Sequence, residues 1–150
     1  MSEKARLLAE LDREFGALKA ACDGLSDHQL RQVWLGQWSV VQVLAHTARW
    51  LQETAPMLER LGRGERANPE GVNYDDADAW NARFVAEAGP LSPAEALRLL
   101  EQCHVDFKRA AQSVPEERFV EGRTAHRIVT VNGINHLREH AGDILKWRSR

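Results

Sequence analysis

The stretch WSVVQVLAHTARWLQETAPMLERLG, residues 38–62, decides the fold. It reads as one long helix. Ser39 can accept from the backbone at its start, and Gln42 three positions on completes a capping box. Pro56 sits inside the pattern and is expected to kink the helix or end its regular hydrogen bonding. Around His46 the neighbours Val43, Leu44, Ala45 and Trp50 are apolar, so the middle of this helix is predicted to be buried on much of its circumference. A histidine there needs a partner to offset its desolvation.

Outward from this helix, the period of three and four residues continues. Leu7, Leu8, Leu11, Phe15, Leu18 and Cys22 form a stripe over residues 3–22, and Gly24 ends it. LSDHQL starts a short turn of helix. Residues 62–74, GRGERANPEGVNY, have the composition of a loop. Asp75 or Asp76 then caps ADAWNARFVAEA, which Gly89 and Pro90 close. LSPAEALRLLEQCHVDFKRAAQSV carries the clearest start signal, with Ser92 as N-cap, Pro93 at the first position and Glu95 closing the box. Its stripe is Ala96, Leu100, Cys103, Phe107 and Ala110. PEERFVEGRTAHR reads as a connection, and the last helix is expected from about Ile128 to Trp147. IVTVNGI is rich enough in β-branched residues to pass for a strand, but no partner strand is evident. The expected fold is therefore all-α, an antiparallel four-helix bundle with a short additional helix, forming a single domain over residues 1–150.

Composition narrows the function classes. The chain of 150 residues is 43% apolar and 28% charged, with a net charge of -2. That balance argues against nucleic acid as a partner, since non-specific binding needs a basic face. No run approaches the ~18 apolar residues of a membrane span. The charged start MSEKARLLAELDREF has no apolar signal region, and Cys22 and Cys103 form no CxxC, so a cytoplasmic location with reduced, buried thiols is expected. The five tryptophans are expected mostly in the core, with Trp50 and Trp80 able to wall an apolar pocket. No nucleophile elbow, phosphate-binding glycine loop or dinucleotide fingerprint is present.

The chemistry rests on histidines. INHLREH, residues 134–140, places His136 and His140 one turn apart on one helix face, where their ring nitrogens can converge on an ion. Two histidines alone also fit a solvated face. A third ligand must come from another helix; His46 is the best candidate, although it also fits a core histidine bonded to a carbonyl. Asn132 stands one turn before His136. His104 borders the core and can line a pocket, while His28 and His126 fall in connections and are expected to be solvated. HLREH matches the H-x-x-E-H of inverzincin proteases. Those proteases take a further glutamate from far downstream, and only ten residues follow His140.

WSVVQVLAHTARW followed by a last helix reading NHLREHAGDILKW resembles the DinB-like superfamily of bacterial four-helix bundles, in the order and spacing of elements over nearly the whole chain. The resemblance implies a divalent metal, nickel or zinc, held by His46, His136 and His140. DAWNARFVAEAGPLSPAEALRLLE, residues 78–101, resembles members grouped with mycothiol-dependent maleylpyruvate isomerase N-terminal domains and colibactin self-resistance proteins. This chain departs from the isomerases by carrying His136 where they carry a glutamate ligand. Implied activities are thiol-S-transfer from a low-molecular-weight thiol or hydrolysis, on a small-molecule substrate that is electrophilic. The alternative is a stress-response or binding bundle without turnover. The resemblance also implies a homodimer. Trp50, Asn81, Asn132 and His104 are the pocket candidates, and the loop from Asn68 to Asp78 with Trp80 is where substrate contacts are expected.

Overall fold

A computed structural model describes residues 1–150. Its first five helices begin where side chains can accept the otherwise unpaired N-terminal amides. Ser2 caps α1 (Glu3–Cys22). Ser26 and Gln29 form a capping box on the short α2 (Asp27–Arg31). Ser39 and Gln42 do the same for α3 (Val40–Gly62). Asp76 caps α4 (Ala77–Ala88), and Ser92 with Glu95 caps α5 (Pro93–Gln112). Glycine Gly89 takes φ 69° at the end of α4, a conformation that costs little without a Cβ.

Pro56 lies inside α3 and removes one donor from its ladder, and the helix continues to Gly62; the proline ring is exposed, so the gap falls on the solvated side. One expectation needs correction. The last helix begins at Thr124 rather than near Ile128. α6 (Thr124–Arg127) runs directly into a π-helical stretch, Ile128–Asn135, and then into α7 (His136–Arg148). His126 is consequently helical and mostly covered. Its Nε2 lies 3.0 Å from the Glu3 carboxylate, whereas His28 is exposed as expected.

The four long rods pack as an antiparallel bundle. α3 makes its most extensive contacts with α5, and α1 with α7 and the π-helical stretch. Leu11, Leu18, Leu51, Leu58, Phe107 and Leu137 are fully buried between them. Each large apolar side chain so buried contributes about 1.5–3 kcal/mol. Gly133 lets the rods approach. A Cβ there would stand 2.9 Å from Leu11 Cδ1 and 3.0 Å from Phe107 Cε1. No helix is long and apolar enough to cross a membrane.

Candidate metal centre

The bundle brings three ring nitrogens together. His46 comes from the second turn of α3, and His136 and His140 from the first two turns of α7. Their Nε2 atoms are 2.8 Å (His46–His136), 3.2 Å (His46–His140) and 3.0 Å (His136–His140) apart. The set fits a cation on its chemistry. Burial drives the His46 pKa down to about 3 and that of His136 down to about 2, each helped by the neighbouring histidines, and burial also lowers His140. Three neutral imidazoles therefore face one another with few donors to share among them. A triangle of this size accommodates an ion at the ~2.0–2.1 Å typical of zinc–nitrogen bonds. The Nδ1 atoms of His46 and His140 are buried with no hydrogen-bond partner. The Asp143 carboxylate stands 3.5 Å from His140 Nδ1, on the side where a metal-bound histidine usually finds an acceptor.

The histidines form the floor of a cavity of about 410 Å³. Trp38 and Trp50 wall it on one side, and Val131, Asn132 and Asn135 of the π-helical stretch on the other. The Trp38 ring lies 4.7 Å from the His46 ring. Trp50 donates from Nε1 to Asn81 Oδ1 at 2.6 Å, which turns the Asn81 amide NH2 away from that bond. Glu139 is the single carboxylate in the lining, and no serine, threonine, cysteine or cation joins it.

Of the sequence-based candidates, Trp50, Asn81 and Asn132 line this cavity. His104 does not. It lies between α5 and α1, stacked on Phe15 at 4.1 Å and bonded to Asp12 at 3.0 Å, beside a different surface depression. The sequence put it at the border of the core, and the face it occupies looks toward α1. The loop is also only partly placed as expected. Asn68 lies in a separate depression with Arg60, and Trp80 stacks on Tyr74 at 4.7 Å behind Trp50. None of the five tryptophans is fully buried. Trp38, read as core, is a wall of the site, and the one signal for it was its place just before the Ser39 cap. Glu139 was legible as the glutamate of the HLREH match, whereas Asn135 carried no signal of its own.

A helical bundle whose three-histidine cluster could hold a metal at the foot of an open cavity is the class that the fold and site define. Within it, the sequence pattern of the DinB superfamily matches residues 10–144, and the chain belongs to that superfamily. No curated protein matches the chain significantly. Among solved structures it is similar to "Sibling Lethal Factor Precursor - DfsB", with a TM-score of 0.81 and 17% identity over 97% of this chain and 95% of that one. The colibactin self-resistance protein ClbS, in complex with a double-stranded DNA, gives a TM-score of 0.82 and 13% identity over 97% of this chain and 94% of that one. A protein from Streptococcus pneumoniae gives 0.82 and 16% identity over 99% and 92%.

The ClbS structure overturns one expectation. The net charge of -2 was read as excluding nucleic acid, yet a bundle of this fold is seen holding double-stranded DNA. Net charge sums the whole surface, whereas phosphate contacts need only a local set of donors, so the sum does not exclude such a partner.

Proposed function

We propose that the chain is a divalent-metal-dependent enzyme, using nickel or zinc, that transfers an external nucleophile to a small electrophilic molecule. The nucleophile is water, giving hydrolysis, or a low-molecular-weight thiol, giving S-transfer. The observation that carries this reading is the convergence of His46, His136 and His140 at the floor of a cavity large enough for a substrate. Three protein ligands with space beside them leave a coordination position open, as catalytic sites do and closed structural sites do not.

A bound metal would supply acidification of a coordinated water or thiol. The chain's own residues do the rest. No hydroxyl or thiol side chain lines the cavity, and the two cysteines are remote, with burial pushing each thiol up to about 11. The attacking group therefore comes from outside. Glu139, the one carboxylate in the lining, is the group that would accept its proton. Asn81, held by Trp50, and Asn132 offer amides to orient a polar electrophile. Trp38 and Trp50 exclude water from one flank.

Elemental analysis of untagged protein beside His136→Ala tests the metal. About one equivalent of nickel or zinc is expected in the first and none in the second, with unchanged helix content. Matched assays for hydrolysis and for thiol conjugation then separate the two nucleophiles. Because the ClbS structure holds double-stranded DNA, both are run with and without a short duplex. Metal-free protein after incubation with divalent ions, or turnover indifferent to His136→Ala, would remove the basis of the reading.

A further inference from the structure

A second chamber, of about 540 Å³ and broadly open to solvent, adjoins the histidine cavity. Leu35, Gly36 and Gln37 form one wall of it, and Asp78 and Ala82 of α4 another. Trp38 and Asn81 line both spaces, so the chambers meet across these side chains. Each chamber falls within the roughly 300–1,000 Å³ typical of small-molecule sites.

The partition is fixed in place. Trp38 N donates to Leu35 O at 2.9 Å, and Leu35 N and Trp34 N both donate to Trp38 O at 3.0 Å. Gly36 takes φ +60° within this tight turn, a conformation that glycine adopts without strain. On the other side, the Trp50 indole holds Asn81. Such a preformed partition costs little ordering when a ligand arrives.

The charges are one-sided. The histidine cavity contributes Glu139 and the second chamber Asp78, and no lysine or arginine lines either. Two arginines of α3 and α4 are engaged elsewhere: Arg49 with Glu87 and the Phe84 ring, Arg83 with Glu87 and the Trp80 ring. An anionic group in the second chamber would meet Asp78 with no counter-ion, whereas an ammonium would find one.

We infer that the two chambers form one site for an elongated substrate, its electrophilic end at the histidines and a protonated amine at its far end beside Asp78. This inference rests on the metal reading above and adds the class of substrate.

Alkyl hydroxamates test it on the zinc-loaded protein, because the hydroxamate head binds zinc and the tail can be varied. Calorimetry compares tails of graded length ending in an amine, a methyl or a carboxylate. At the best length the amine is expected to bind about fivefold tighter than the carboxylate, the scale of a partly exposed charge pair. Asp78→Asn, at an exposed position in the first turn of α4, should abolish that preference while leaving acetohydroxamate affinity unchanged. Equal binding of amine and carboxylate tails at every length, or a preference that survives Asp78→Asn, overturns the two-chamber site while leaving the metal reading standing. Failure of acetohydroxamate itself to bind overturns both.

Discussion

His46 Nε2 lies 2.8 Å from His136 Nε2, although 90 positions separate them in sequence. Both rings are neutral, and His140 brings a third Nε2 to within 3.2 Å of His46. A cation satisfies all three nitrogens at once, and whatever binds the folded chain alone stabilises it. At a free metal concentration a hundredfold above Kd the gain is about 2.7 kcal/mol. For a chain of this size that raises the melting temperature by about 5–10 °C. Thermal melts with zinc and with a chelator should differ by this amount in the native protein and coincide in His136→Ala. Coincidence in the native protein as well would count against the centre.

His104 gives stability a pH dependence that is independent of the metal cavity. Burial lowers its pKa from the ordinary 6.5, Asp12 works in the opposite direction, and Lys108 adds a smaller lowering. The folded chain thus holds this ring neutral where the unfolded chain takes up a proton. Stability is complete above about pH 6.5 and falls as pH drops below it, by at most about 1.4 kcal/mol per unit from this one group. Glu3 acts in a more acidic window: Arg6 and His126 hold its pKa at about 2, so its contribution is present above 4.5 and lost toward 2. Urea unfolding of metal-free protein between about pH 8 and pH 5 should show a shallower slope in His104→Leu than in the native chain. Identical slopes would mean that the ring does not titrate on unfolding.

Helix starts were legible because they depend on local chemistry. Ser39 with Gln42 and Ser92 with Glu95 satisfy amides within one turn, so their spacing alone located α3 and α5. The histidine pair at i, i+4 was legible for the same reason. What sequence spacing could not carry is the rotation of one rod against another. His104 and His46 both sit among apolar neighbours, yet one faces α1 and the other faces α7. The π-helical stretch was missed because nothing in the spacing of Ile128–Asn135 separates a π ladder from an α one, and the early start at Thr124 because Arg123 offers no capping side chain. Trp38 looked like core because large aromatics usually are, while its place beside His46 depends on the turn at Gly36.

Gly133 marks the closest approach of the last rod to its neighbours. A methyl group there would stand 2.9 Å from Leu11 Cδ1 and 3.0 Å from Phe107 Cε1, both on fully buried side chains. Gly133→Ala should therefore destabilise by about 1–3 kcal/mol despite the better helix propensity of alanine, since overpacking outweighs it. Because His136 follows three positions later, metal affinity should fall as well. Denaturant midpoints and zinc titrations measure the two effects. A more stable variant would show that the rods part at little cost.

Trp50 and Asn81 offer the sharpest test of how the cavity is kept in order. Trp50→Phe keeps an aromatic ring against Phe84, whose centroid is 5.0 Å away, but deletes the N–H that Asn81 Oδ1 accepts. Stability should fall by only about 1 kcal/mol. The amide, freed to rotate, no longer presents its NH2 to the cavity, and small errors of orientation cost more in turnover than in folding. A loss of about tenfold in kcat/KM is expected once a substrate is in hand, and Asn81→Ala should lose a similar factor. If Trp50 acts through Asn81, the double variant should be little worse than either single one, because both remove the same positioned donor. Losses that multiply would mean that the indole contributes to the cavity by a route other than this hydrogen bond.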